Sequence, residues 1–164
     1  DSGQRAGFFA RGGLETVKKL RWAPDVIHCQ GWITNLIPLY LKKVYKADPI
    51  FADSRIVTTL YNDISEEKFG ASFKDTILFG GISPDDVPLP EDPDGTNLAK
   101  LAAMYSDGVI IGDSAVSSDL VGYCKELDVP TLDFNAESME NGTYAKIAAK
   151  YPDISTNNLL FLNK

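Results

Sequence analysis

A single histidine occurs in the chain, His28, within the stretch PDVIHCQGWITNLIPLYLKK at 24–43. An imidazole that ends a short apolar run can hydrogen-bond a ligand hydroxyl or take part in acid–base chemistry. No acid stands beside it in the sequence, and the adjacent Cys29 is read below as a buried thiol, so no catalytic pair is complete. Two interpretations therefore stay open, a ligand-binding group at a strand end and a hydrogen-bonded structural histidine, and we favour the second.

A second candidate is the Gly-Asp-Ser of IGDSAVSS, where a serine follows a short apolar run. Such a turn can present a nucleophilic hydroxyl, but the reaction needs a histidine base, and His28 lies far upstream. We favour the simpler interpretation that Asp113 and Ser114, or a neighbouring serine, cap the helix that follows.

Other kinds of site have little support in the sequence. No GxGxxG motif follows a predicted strand, so no phosphate-binding loop is indicated. One histidine and scattered carboxylates lack the clustering that zinc or iron requires. We predict neither a metal nor a cofactor.

The elements that must position these residues alternate along the chain. We predict helices at 5–21, 32–46, 97–107, 114–127 and 136–151, and strands at 25–29, 55–61, 108–113 and 129–135. The first helix places Phe8, Phe9, Leu14, Val17 and Leu20 on one apolar stripe. Pro38 should kink the second helix or mark its early turns. The segment at 62–96 reads as a long loop with short helical pieces, and the tail after 152 has no assignment.

Strands that read as continuous apolar runs between helices are typical of a parallel sheet covered on both faces. The chain of 164 residues is therefore predicted to be one α/β domain, 1–164, with a three-layer arrangement around a parallel sheet. Ligands of such sheets bind beyond the carboxyl ends of the strands, which points to 28–31, 61–63, 112–114 and 133–135.

Charge and composition exclude several classes of partner. The net charge is -7 with a pI of about 4.6, which disfavours nucleic acids and anionic membranes. No apolar run is long enough to span a bilayer. Two cysteines far apart in the sequence are read as reduced, buried thiols of a cytoplasmic protein.

Three stretches carry a resemblance to a known family: FFARGGLETVKKLRWAPDVIHCQGWITNLIPLYLKKVY, RIVTTLYND and LAAMYSDGVIIGDSAVSSDLV. In this order they resemble the amino-terminal domain of bacterial glycogen and starch synthases. The resemblance implies the Rossmann-like half of a GT-B glycosyltransferase, in an enzyme that transfers glucose from ADP-glucose to the non-reducing end of an α-1,4-glucan. It implies α-1,4-glucan and ADP-glucose as ligands.

The family's motifs assign candidate residues one by one. His28 and Trp32 match the first histidine and the tryptophan of its His-x-His-Asp-Trp-His motif, and Gln30 replaces the second histidine. Asn62 matches an asparagine after the second strand, and Asp1 falls on an aspartate that faces the sugar. The substrate-binding residues implied by the resemblance are Asp1, His28, Gln30, Trp32 and Asn62.

Three departures bear on catalysis. Gly31 replaces the motif's aspartate, Ile33 its last histidine, and Tyr61 the histidine before Asn62. Isoleucine cannot donate a hydrogen bond to a sugar, and tyrosine does not titrate near neutrality. We therefore expect the chain to be inactive alone. The resemblance covers only the amino-terminal half of the GT-B fold, so we also expect the chain to lack the carboxyl-terminal nucleotide-binding domain and to need a second GT-B domain or subunit. The alternative is a non-catalytic α-glucan-binding or regulatory domain.

Overall fold

A computed structural model of the chain describes residues 2–64, 67–134 and 159–163. The helices are α1 (Ser2–Leu20), α2 (Ile37–Lys43), α3 (Phe73–Thr76), α4 (Gly95–Met104) and α5 (Ser118–Glu126), with 3₁₀ turns at Trp32–Thr34 and Pro84–Asp86. The strands are β1 (Val26–Gln30), β2 (Arg55–Leu60), β3 (Gly108–Ile111), β4 (Thr131–Leu132) and β5 (Leu159–Asn163). Asp1 and the predicted helix at 136–151 lie outside the described residues.

The described strands form one parallel sheet in the order β4-β3-β2-β1-β5. The predicted parallel α/β fold is therefore confirmed. The tail, for which the sequence predicted nothing, supplies β5, which pairs with β1 so that His28 lies opposite Phe161. No helix in the described part of the chain is long and apolar enough to cross a membrane.

Both faces of the three central strands, β1, β2 and β3, are buried. Ile27 and Ile56 point to the face that packs against α1, α2 and α4. Because side chains alternate along a strand, Val26, Val57 and Ile110 point to the opposite face, and each has no exposed surface. The sequence predicted a sheet covered on both faces from these uninterrupted apolar runs, and the burial of all five residues agrees with it.

Helix α1 buries only part of the predicted stripe, since Leu14 and Val17 are buried as predicted and Phe9 is half-buried. Its buried residues are Gly3, Ala6, Ala10, Leu14 and Val17. Phe8 is 83% exposed and Leu20 71% exposed, so their assignment to the buried stripe was wrong. The cause is helix geometry, because Phe8 and Val17 are nine residues apart, about two and a half turns at ~3.6 residues per turn, and so lie on opposite faces of the helix. Val17 faces the core, which leaves Phe8 on the outer face.

The helix predicted at 32–46 is divided in the structure. A 3₁₀ turn covers Trp32–Thr34, and α2 begins only at Ile37. Pro38 lies in the first turn of α2, where its missing N–H would have no helical partner in any case. The proline thus marks the start of the helix and does not kink it.

The long segment at 62–96 packs onto the core, apart from residues 65 and 66, which are not described. Phe73, Ile77 and Val87 are each at most 3% exposed and belong to the same apolar cluster as α1 and α2. The segment ends at Asp94, whose side chain accepts the N–H of Asn97 and caps α4. It therefore brings the amino end of α4 to a fixed place beside the sheet.

Candidate functional site

The carboxyl end of β1 lies where the strand order changes direction. Strands β2, β3 and β4 follow on one side of β1, and β5 lies on the other. Gln30 ends the strand, Gly31 turns the chain with φ of +88°, and Trp32 opens the 3₁₀ turn. Such switch points are where open parallel sheets bind ligands, because the connections diverge and leave a crevice.

A hydrogen bond joins the turn after β1 to the turn after β2. The backbone N–H of Trp32 donates to Oδ2 of Asp63 over 3.1 Å. Within the first turn, the Thr34 hydroxyl donates to the carbonyl of Gly31 over 2.8 Å. These two bonds hold the indole of Trp32, which is half-buried, at the edge of the sheet.

A second bond of the same kind joins the turns after β2 and β3. The backbone N–H of Asn62 donates to Oδ2 of Asp113 over 2.7 Å, and Oδ1 accepts the N–H of Ala115 at 2.7 Å. The side chain of Asn62 is exposed and free to meet a ligand hydroxyl.

The expected capping of α5 by Asp113 or Ser114 was wrong, and a neighbouring serine fills that place. Helix α5 starts at Ser118, and the Ser117 side chain accepts the N–H of Leu120 over 3.2 Å. The helix begins later than predicted, and Asp113 instead accepts the backbone N–H of Asn62 in the turn after β2.

Tyr61, which the resemblance aligns with a histidine of the family, packs its ring against the β3 end. An added Cβ at Gly112 would lie 2.5 Å from Cε1 of Tyr61 and 2.8 Å from Cγ2 of Thr59. The Gly112 N–H donates to the carbonyl of Leu60 over 2.7 Å, which keeps the two strand ends together. The glycine leaves the space that the tyrosine ring occupies.

His28 lies inside the sheet, below this edge. It is 1% exposed, its Nε2 hydrogen-bonds Oγ1 of Thr59 at 2.5 Å, and its ring centre is 5.2 Å from that of Phe161. Burial lowers the pKa of His28 from 6.5 to about 4, so the imidazole is neutral at pH 7. This placement gives His28 no surface to offer a ligand in the described part of the structure.

Ile33, which the resemblance aligns with the last histidine of the motif, packs into the core. Ile33 is 8% exposed and belongs to the main core cluster. With Arg5, Phe8 and Phe9 it lines a cavity of about 670 Å³ against α1. No titratable group replaces the histidine at this position.

A smaller cavity of about 190 Å³ opens beside Trp32. Its lining includes Asn35 and Asp63, two residues that the motif comparison did not select. Asp63 follows Asn62 directly and lies in the strand-end segment 61–63. Asn35 had only a weak signal, as a polar residue within the apolar run WITNLIPLYL.

Of the residues expected to bind substrate, the structure brings Gln30, Trp32 and Asn62 to one edge of the sheet. It places His28 beneath that edge, and Asp1 is outside the described residues. Within the described ranges, no cluster of three or more His, Cys, Asp or Glu side chains could hold a metal ion.

Comparisons with known proteins point to one family. The family model for the starch synthase catalytic domain matches residues 1–124. The glycogen synthase of Clostridium perfringens is 32% identical over 139 residues, which is 85% of this chain and 27% of that protein. The glycogen synthase of Chlorobium limicola is 32% identical over 117 residues, 70% of this chain and 23% of that protein. The chain thus spans about a quarter of the length of these relatives.

Proposed function

The chain belongs to the family of starch synthase catalytic domains, and we propose on this basis that it forms the glucan-facing part of a retaining glucosyltransferase. The full reaction would transfer glucose from ADP-glucose to the non-reducing end of an α-1,4-glucan. The observation that carries the proposal is that the family match over 1–124 includes the whole edge formed by Gln30, Trp32 and Asn62.

This edge has the chemistry that a glucan needs. Gln30 and Asn62 carry amides that both donate and accept hydrogen bonds, as sugar hydroxyls require. Trp32 presents an aromatic surface on which the apolar face of a pyranose can stack. Together they support binding of a neutral, hydroxyl-rich polymer.

The same edge is poorly suited to the donor nucleotide. The two side chains that tie the turns together, Asp63 and Asp113, are carboxylates, and they repel a diphosphate. Transfer also needs stabilisation of the departing diphosphate by fixed positive charge. We therefore infer that activity requires a second GT-B domain or a partner subunit that holds ADP-glucose.

A non-catalytic α-glucan-binding or regulatory role is the second candidate. It is favoured by the burial of Ile33 and of His28, which leaves no titratable imidazole at the edge. In this case the degenerate motif would keep the shape of the sugar site without its chemistry.

A cytoplasmic location is part of the proposal. Cys29 and Cys124 are both free and buried in the structure. Burial raises the pKa of Cys124 to about 11 and raises that of Cys29 as well, so both thiols stay protonated and inert. Unpaired cysteines suit a reducing compartment.

The test is calorimetric titration of the chain with maltoheptaose and, separately, with ADP-glucose. We expect the glucan to bind and ADP-glucose not to bind. Asn62→Ala and Trp32→Leu should weaken glucan binding, whereas Trp22→Leu, in the segment before β1, is the matched control and should not. Binding of ADP-glucose would show that this chain contains the donor site. Absence of glucan binding would overturn the proposal.

A further inference from the structure

A cavity of about 220 Å³ opens where β2 begins, between the start of that strand and the end of α2. Arg55 is the first residue of β2 and lies beside Val26, the first residue of β1. The candidate edge is at the other end of β1, about 13 Å away at ~3.3 Å per residue along this five-residue strand. A ligand in this cavity would therefore be separate from the proposed glucan site.

Three cationic side chains, those of Lys42, Lys46 and Arg55, line this cavity. No carboxylate side chain occurs in the part of the lining that the structure describes. The chain as a whole has a net charge of -7, so this local charge is opposite to that of the protein. A cleft lined by one sign of charge concentrates ions of the other sign. The lining therefore favours an anion.

Lys42 and Lys46 differ in what balances their charge. Lys42 Nζ pairs with both carboxylate oxygens of Asp107 at 3.1 Å, and that carboxylate also accepts the backbone N–H of Ile56 at 2.8 Å. Lys46 is exposed, and its ammonium group has no acceptor among the described residues. Asp107 is thus engaged by its own contacts, and the charge of Lys46 can meet an anion from solution.

Arg55 supplies a directional donor. Its side chain is half-buried, and a guanidinium can donate two parallel N–H bonds to two oxygens of one phosphate. Leu41, Phe51 and Ile56 also line the cavity and are each at most 6% exposed. Charges beside such an apolar wall interact more strongly than in open water, because the local dielectric constant is lower.

We propose that this cavity binds a phosphate group, with Arg55 and Lys46 as its main contacts and Lys42 as a third positive charge. The volume equals that of about seven waters at ~30 Å³ each, which suits a phosphate with a small substituent. It is below the ~300–1,000 Å³ of sites that hold larger ligands, such as a nucleotide. The ligand is therefore free phosphate or the phosphate monoester of a small metabolite. This binding is independent of the proposed function.

The test is titration of the chain with inorganic phosphate and, separately, with glycerol 3-phosphate at constant ionic strength, followed in nitrogen-15 correlation spectra. We expect the backbone N–H signals of Ala52 and Arg55 to shift to saturation, while the indole signal of Trp32, at the opposite end of β1, stays unchanged. Either order of affinity supports the proposal. Tighter binding of glycerol 3-phosphate would identify a monoester as the ligand, and equal or weaker binding would identify free phosphate. No saturable shift with either probe would overturn it.

Lys46→Gln is the decisive variant, because it removes one charge at an exposed residue and should leave the fold intact. The dissociation constant for inorganic phosphate should rise about fivefold or more. Lys19→Gln is the matched control, since it makes the same charge change at an exposed residue of α1 outside the cavity and should leave the constant unchanged. Unchanged affinity of Lys46→Gln, or equal losses in the two variants, would overturn the proposal.

Discussion

The backbone N–H of Trp32 donates to the carboxylate of Asp63 over 3.1 Å, across the turns that follow β1 and β2. The bond places the aromatic ring at the sheet edge by way of a side chain from the neighbouring strand end. Asp113 repeats the arrangement one strand further on, where it accepts the N–H of Asn62 over 2.7 Å. The candidate site is thus held together by carboxylates that bind backbone groups.

Removal of the Asp63 carboxylate should loosen this edge. Asp63→Ala leaves the Trp32 N–H without its partner, and we expect a loss of about 1–2 kcal/mol in the free energy of unfolding. Asp63→Asn keeps an acceptor oxygen and serves as the matched control, with a smaller loss. Urea denaturation measures both, and equal losses would show that charge, and not the hydrogen bond, carries the effect.

Gly112→Ala should be strongly unfavourable. The added Cβ would lie 2.5 Å from the Tyr61 ring, which must move, at a cost of about 1–3 kcal/mol. Gly122→Ala is the control within the same molecule, because it lies in α5 with nothing within 4 Å of the added Cβ. That substitution should stabilise the protein by ~0.5–1 kcal/mol. A Gly112→Ala variant with the same free energy of unfolding as the wild type would contradict the packing of Tyr61 described above.

His28 should make stability depend on pH in the acid range. Its folded pKa of about 4 lies below the ordinary 6.5, so the unfolded chain binds the proton more readily. The contribution is fully present above pH 6.5 and is lost as the pH falls from there to 4, by roughly 3 kcal/mol at ~1.4 kcal/mol per pH unit.

The measurement is the difference in unfolding free energy between wild type and His28→Gln from pH 4 to pH 7, because the carboxylates titrate in both proteins. The difference should change steadily below pH 6.5 and be flat above it. A flat difference throughout would mean that His28 is not buried in its neutral form.

Asp107 should contribute more to the free energy of unfolding than Lys42, with which it forms an ion pair. It is 8% exposed, accepts from Lys42 Nζ at 3.1 Å and from the backbone N–H of Ile56 at 2.8 Å. Asp107→Ala removes both bonds and should cost about 3 kcal/mol, whereas Lys42→Ala, at a residue 36% exposed, should cost about 1 kcal/mol. Thermal or urea unfolding of the two variants gives the comparison, and the reverse order would contradict it.

Local patterns in the sequence were sufficient to predict the central strands. The runs around Ile27, Ile56 and Ile110 are apolar without alternation, and each became a strand of the parallel sheet. The positions where these runs end placed Gln30 and Asn62 at one edge, since parallel strands end on the same side. The family, too, followed from short motifs, and the match over 1–124 confirms it.

Details that depend on partners distant in the sequence were not predictable in this way. The exposure of Phe8 and Leu20, which were wrongly assigned to the buried stripe of α1, depends on which face of the helix the rest of the protein covers. The role given to Asp113 was wrong because its true partner, Asn62, comes from another strand. The tail became β5 only through its pairing with β1.

The sequence by itself thus determined the parallel α/β fold, the family, and which strand ends meet at the candidate edge. The tertiary structure alone decided that Thr59 is the hydrogen-bond partner of the buried His28, and that the side-chain oxygen of Asn35 is buried with no hydrogen-bond partner among the described residues. The physical reason is the distance along the sequence over which each kind of interaction acts. Periodicity and turn chemistry act between neighbours along the chain, whereas burial and hydrogen-bond satisfaction are set by residues that only folding brings together.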